Sequence, residues 1–324
     1  MITEHSTSKT QAQAFSFFAF AGNLGVLFGP LIGGSLADPA RQYGGPFAQS
    51  RFFQHYPYAL PAFMTGFVGL SAAVISALFI DETLEPKDTS SGKPTNPPMS
   101  TWELIKAPGV AMVLFLSNYI LLLGMAYTAV VPVFAYTSVA LGGYGFSPLL
   151  ISGFLAVAGI SQSLWTLVVF PPAQKRWGTG GVMRFCAWLW PLTFGLAPLC
   201  NTFLRWGWVA AFWVLAPALV VVGSGAAMQV TCVQLALNDI SPSSAVLGTL
   251  NALLLAMVAG IRAVAPALFA SLFATGVKHQ ILGGYLVFVI LFFMAVGTIV
   301  AVGYLPEKAQ GRPRKKRGEE RSEA

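Results

Sequence analysis

Ala21-Gly-Asn-Leu-Gly-Val-Leu-Phe-Gly-Pro-Leu-Ile-Gly-Gly34 is the stretch on which the fold turns. Its glycines at 22, 25, 29 and 33 step by three, four and four residues, which on a helix of 100° per residue puts them within about 60° of one face. A stripe of small residues lets a second helix approach closely. Pro30 removes a backbone donor and bends the helix, which is tolerated where neighbours re-satisfy the freed carbonyl. Helix packing explains the glycine spacing, but not why Gly29-Pro30 and Gly33-Gly34 stand together.

Around this stretch the chain is unusually apolar. Of 324 residues, 55% are hydrophobic and 10% charged, with a mean hydropathy of +0.67; soluble domains carry roughly 25% charge. That excludes a soluble enzyme, a disordered tail and a nucleic-acid reader. Eight stretches reach the roughly 20 apolar residues a bilayer span requires, near 14–36, 57–80, 108–134, 147–171, 180–200, 206–232, 244–275 and 281–304. The expectation is an all-α, multi-pass integral membrane protein. Cys186, Cys200 and Cys232 fall in or beside apolar stretches and suit packing rather than a disulfide framework.

Orientation follows from the basic residues. With a cytoplasmic carboxyl tail and one crossing per stretch, fourteen Lys and Arg fall inside and four outside, with Arg262 within a span. Seven of the inner ones precede the tail, so the positive-inside rule puts both termini in the cytoplasm without depending on Arg312–Arg317. Plasma and vacuolar membranes are not distinguished. The connection Asp81–Ala107, with Ser90-Ser91-Gly92-Lys93-Pro94 and Pro97-Pro98, reads as a hydrophilic linker with two spans before it and six after.

Gly25, Gly29, Pro30, Gly33 and Gly34 resemble the antiporter signature of the major facilitator superfamily. The pattern's earlier glycine would fall on Ser16, a departure. In that family the signature lies in the fifth helix, at the contact between two six-helix halves. The resemblance implies a partial facilitator fold of eight transmembrane helices equivalent to helices five to twelve, with helices one to four absent. Residues 1–80 would supply the last two helices of the first half, 81–107 the linker, 108–306 the second bundle and 307–324 a basic tail. Lys175, Arg176, Gly178 and Arg184 partly match the basic loop between helices eight and nine. With Gly248-Thr-Leu-Asn251 and Arg262-Ala-Val-Ala-Pro266, the chain is most similar to the drug:proton antiporter and zinc-induced-facilitator-like branch.

Polar side chains inside spans are costly and mark cavities or partner helices. Asn23, Asn118, Gln162, Gln229, Asn251 and Arg262 are such positions. The resemblance puts them on cavity-lining helices, and Tyr119, deep in its span, is an aromatic candidate for the same cavity. Arg262 lies eleven residues from Asn251, about 20° off its face and roughly 16 Å along the axis. It reads either as an anion-binding or gating residue, or as a static Arg satisfied near Pro266 or reaching for the interface. None of the twelve acids lies at mid-span, so no proton relay is visible. Trp188, Trp190, Trp206 and Trp208 flank span ends and read as an interfacial belt.

No Gly-x-x-x-x-Gly-Lys motif, metal-ligand cluster or cofactor pattern is present. His5, His55 and His279 have no neighbouring catalytic partner, so the chain is not expected to be an enzyme. The expected function is transport of small organic solutes, drugs or ions by alternating access, as a truncated product of a proton-coupled antiporter. The alternative is a non-transporting membrane protein that associates with or regulates a full-length transporter. The partners implied are a small-molecule substrate, the lipid bilayer, and the missing half or a full-length transporter, but no nucleic acid.

Overall fold

The computed structural model describes residues 11–79, 100–242 and 244–311. Most of the linker and the tail after Gly311 lie outside the described residues, as do the side-chain surroundings of Asn23, Pro30 and Gly34. Every regular element among the described residues is helical. The chain divides into two compact units, one drawn chiefly from Ala21–Thr95 and the other chiefly from Asn96–Ala324.

Helix α1 (Gln11–Leu36) carries the glycine stripe. It is followed by three short helical turns, Pro39–Gln42, Gly45–Gln49 and Arg51–His55, and by α2 (Ala59–Phe79). Asp38 takes a left-handed conformation at φ 47°, its amide donates to Pro57 O at 2.8 Å, and its carboxylate pairs with Arg41 at 3.5 Å. No side chain of α2 is buried.

The second unit is a helical bundle. After a short helix, Thr101–Lys106, its helices are α3 (Val110–Tyr136), α4 (Pro148–Leu164), α5 (Phe170–Arg205), α6 (Val209–Gly223), α7 (Met228–Ile240), α8 (Ser244–Lys278) and α9 (Leu286–Gly303). A π-turn, Trp165–Val169, joins α4 to α5, and a 3₁₀ turn, Ser224–Ala227, joins α6 to α7. Six helical runs among the described residues are long and apolar enough to cross a membrane, including the continuous 56-residue run Leu150–Arg205. At 1.5 Å per residue that run would measure about 84 Å, far more than a bilayer core of ~30 Å. It is broken at Gly178, whose φ of 72° and ψ of 170° lie outside any helix. Only glycine adopts that conformation at little cost.

Helix α3 packs against α8 and α7, and α5 packs against α9, α6 and α7. Two hydrophobic clusters result. One, around Leu104, Val113, Met183, Cys232, Leu237 and Ala309, fills the end of the bundle where Gly109, Ile240 and Pro306 meet. The other, around Phe134, Phe146, Phe194, Phe212, Phe273 and Phe288, fills the far end. The three cysteines are buried and unpaired within this packing, as expected of small apolar groups.

Candidate functional site

The polar positions singled out from sequence do not converge on one point. On α3, Asn118 is buried, and its Nδ2 donates to Leu114 O at 2.8 Å and reaches Met257 Sδ of α8 at 3.5 Å. Its Oδ1 is buried with no hydrogen-bond partner among the described residues, a state that costs about 1–3 kcal/mol. Met257 lies between Asn251 and Arg262 along α8, so Asn118 marks the middle of the α3–α8 seam.

Asn251 sits on the same helix, toward the end where Gly109 and Ile240 lie. Its Nδ2 donates to Leu247 O at 3.0 Å and its Oδ1 accepts from Gln234 Nε2 at 2.9 Å. This link ties α8 to α7, and Gln234 was not singled out from sequence because it falls just beyond its apolar stretch. Arg262 lies near the middle of α8 and is exposed, with no hydrogen bond or ion pair to any described residue. A cation at that depth costs at least ~2.5 kcal/mol unless it meets water, protein or an anion.

Gln229 is in a different situation. It is 0% exposed, its Oε1 accepts from Trp190 Nε1 at 2.7 Å, and its Nε2 donates to Met183 O at 3.1 Å. Both ends of the amide are engaged inside the bundle, between α7 and α5. Trp190 is correspondingly buried at 8% exposure, whereas Trp188, Trp206 and Trp208 are 57–65% exposed. The belt expected from sequence therefore loses Trp190 to the core, because a partner 39 residues away takes its indole N–H.

Tyr119 follows Asn118 directly but faces elsewhere. Its hydroxyl donates to Met294 O of α9 at 2.7 Å, and its ring stacks on Phe115 with centroids 5.8 Å apart. One residue of helix turns a side chain by about 100°, which separates the two. Gln162 on α4 is half-buried, and its backbone carbonyl accepts from Thr166 Oγ1 at 2.8 Å. Asn23 lies outside the described side chains. Of the acids, Asp38, Glu103, Asp239 and Glu307 are at described positions, and each stands at or within three residues of a helix end. No group of three or more His, Cys, Asp or Glu able to hold a metal occurs among the described residues.

The far end of the bundle holds a polar cluster that sequence reading missed. Asn201, 0% exposed, donates through Nδ2 to Val139 O at 3.1 Å and to Gly143 O, while its Oδ1 accepts from the Tyr285 hydroxyl. Arg205 donates to Val139 O at 3.1 Å and Ala140 O at 3.0 Å, and its guanidinium lies 5.7 Å from the Tyr285 ring centroid. Burial pushes the nearby Tyr144 hydroxyl well above its ordinary pKa, and that hydroxyl donates to Ala197 O at 3.1 Å. The cluster fastens the connections before α4 and before α9 to the end of α5.

A family model of the Major Facilitator Superfamily matches residues 1–187, which include the glycine stripe and all of α1 to α4. The chain belongs to that superfamily. Among curated relatives, this facilitator is 41% identical to the efflux pump azaK of Aspergillus niger over 97% of its own length. It is 22% identical to the major facilitator-type transporter psiT2 of Psilocybe cubensis over 91%. It is 27% identical to the zinc induced facilitator-like 1 protein of Arabidopsis thaliana over 58% of its length and 42% of that relative's. The facilitator spans about 65% of the length of azaK and of psiT2. No solved structure matches it significantly. Membership agrees with the resemblance carried by Gly25, Gly29 and Gly33.

Proposed function

We propose that this facilitator exports a small organic solute, drug or ion by alternating access, and that the substrate meets the α3–α8 seam between Asn118 and Arg262. The observation that carries the reading is Arg262: a cation near the middle of an apolar 35-residue helix, exposed and with no partner among the described residues. An anionic or polarisable substrate, or water in a transport path, compensates such a charge. Asn118 adds a buried acceptor without a donor on the facing helix. Asn251 and Gln162 border the same side in this reading, whereas Gln229 and Tyr119 act as structural links. The direction of transport is taken from the name of the 41% identical relative, an efflux pump.

In this reading the chain crosses the bilayer eight times with both ends in the cytoplasm. The Gly178 break divides Leu150–Arg205 into two passes, and α1 supplies one more. The excess of Lys and Arg on one side gives the orientation. Proton coupling would draw on an acid outside the described spans.

A drug-tolerance and efflux assay in a transporter-deficient yeast tests the proposal. Arg262→Ala is expected to lower efflux at least tenfold at equal membrane abundance, with Arg262→Lys retaining part of it. Unchanged efflux in Arg262→Ala overturns the site. A second reading, a non-transporting partner of a longer facilitator, is favoured by one observation: Gly22, Gly25, Gly29 and Gly33 face open space among the described residues. Co-purification with such a transporter, without flux of its own, would establish it.

A further inference from the structure

A groove of about 460 Å³ runs along the outside of the bundle between α5 and α9. Its walls are almost entirely apolar, formed chiefly by Trp188, Pro191 and Gly195 on one helix and Phe292, Val296 and Val300 on the other. Gly195 opens its floor: a Cβ there would already touch Phe292 at 3.4 Å. From Phe292 to Val300 the groove extends about 12 Å along the helix, the reach of roughly half an acyl chain. Trp188 and Val300 are 65% and 59% exposed on its rim, where in a multi-pass membrane protein the surrounding medium is lipid.

Beyond one end of the groove, on the same helix face, lies Arg184. Arg184, Trp188, Pro191 and Gly195 recur at spacings of four, three and four residues, so they share one face of α5 within about 60°. Arg184 is exposed, lies one turn from Trp188 toward the Gly178 break, and has no ion pair to any described carboxylate. A guanidinium on its long stem reaches the headgroup layer from there while the tryptophan sits at the interface beneath it. A cation above an apolar channel matches a phosphate above an acyl chain.

We infer that this groove is a binding site for an anionic phospholipid, one acyl chain lying between α5 and α9 and the headgroup phosphate on Arg184. The choice of an anionic headgroup rests on the proposed cytoplasmic placement of this end, because anionic lipids concentrate in that leaflet. The site is separate from the α3–α8 seam, and occupancy would fasten the two helices that wall it.

Native mass spectrometry of the full chain in detergent tests the site, with palmitoyl-oleoyl phosphatidylserine and phosphatidylcholine as probes. Phosphatidylserine is expected to be retained about fivefold better, equivalent to the ~1 kcal/mol that one basic side chain contributes at an anionic surface. Arg184→Gln should abolish that preference while leaving retention of phosphatidylcholine unchanged. Gly195→Leu should reduce retention of both lipids, and Val300→Trp, which fills the groove from its exposed rim, serves if Gly195→Leu fails to fold. Equal retention of the two lipids by the unaltered chain, or a preference that survives Arg184→Gln, overturns the inference. The assay measures no transport, and reaction of Arg184→Cys with an impermeant maleimide in intact cells reports the orientation separately, so either failure is recognised for what it is.

Discussion

Gly22, Gly25, Gly29 and Gly33 of α1, and Gly66 and Gly69 of α2, face open space, since a Cβ at any of them would meet no atom within 4 Å among the described residues. Three glycines of the bundle are in the opposite position. A Cβ at Gly223 would lie 2.6 Å from Thr193 Oγ1, at Gly225 2.9 Å from Leu189 Cδ1, and at Gly297 2.7 Å from the Tyr119 hydroxyl. The same residue type lets side chains of this chain approach in the bundle, and in α1 meets no atom of the described residues. A small-residue stripe read from sequence therefore announces a contact, and only the surroundings tell whether that contact is filled.

Substitutions can break this comparison, and the largest effect is expected where backbone closes on a glycine. In Gly143→Ala the new Cβ would collide with the carbonyl oxygens of Phe134 and Thr137, which cannot rotate away. We expect a loss of more than ~3 kcal/mol, seen as failure to recover monodisperse protein by size exclusion. Recovery of a stable Gly143→Ala chain would show that the far end of the bundle is looser than its packing implies.

Asn201→Leu comes next. It leaves the Gly143 carbonyl and the Tyr285 hydroxyl without that partner, while Val139 O keeps its bond from Arg205. Each orphaned group costs about 1–3 kcal/mol, so a fall of several degrees in the thermal midpoint of the detergent-solubilised chain is expected. Adding Tyr285→Phe should cost little more, because the two changes remove parts of one network.

Gln229→Leu sharpens the division between structure and site. It should destabilise by about 1–2 kcal/mol through the loss of the Trp190 and Met183 bonds and shift the tryptophan fluorescence, while leaving the apparent KM for an exported drug unaltered. A raised KM with an unaltered midpoint would return Gln229 to the substrate path.

The smallest effect is expected in α1. Gly25→Ala and Gly29→Ala enter open space and gain up to ~1 kcal/mol of helix propensity each, so the midpoint should hold or rise slightly. A fall as large as that of Gly225→Ala would mean that the stripe is packed within this chain.

Much of this was legible from local pattern. Six helical runs among the described residues are long and apolar enough to cross a membrane, since spans must satisfy their own backbone and helices are the way an open chain does so. The glycine stripe was legible for the same reason, its spacing being a property of one helix. Asn118 and Asn251 were found by asking where a polar group is costly, but that question could not separate Gln229, bonded at both ends, from Arg262, bonded at neither. Trp190 was misplaced because a preference for interfaces is an average, and one buried acceptor on another helix outweighs it. Gly178 drew notice only as part of a basic loop, although its left-handed φ is what breaks the long helical run.

The sequence by itself determined that the chain is an apolar, helical, multi-pass facilitator, because burial in lipid and helical periodicity are fixed by residue type and spacing over a few turns. Tertiary structure alone decided which polar groups remain open, which glycines are filled and where a groove is left between α5 and α9. Those outcomes depend on pairs such as Gln229 with Trp190, Asn201 with Tyr285 and Gly195 with Phe292. Their members lie tens of residues apart, so no local window holds both, and only the packing of whole helices brings them within reach.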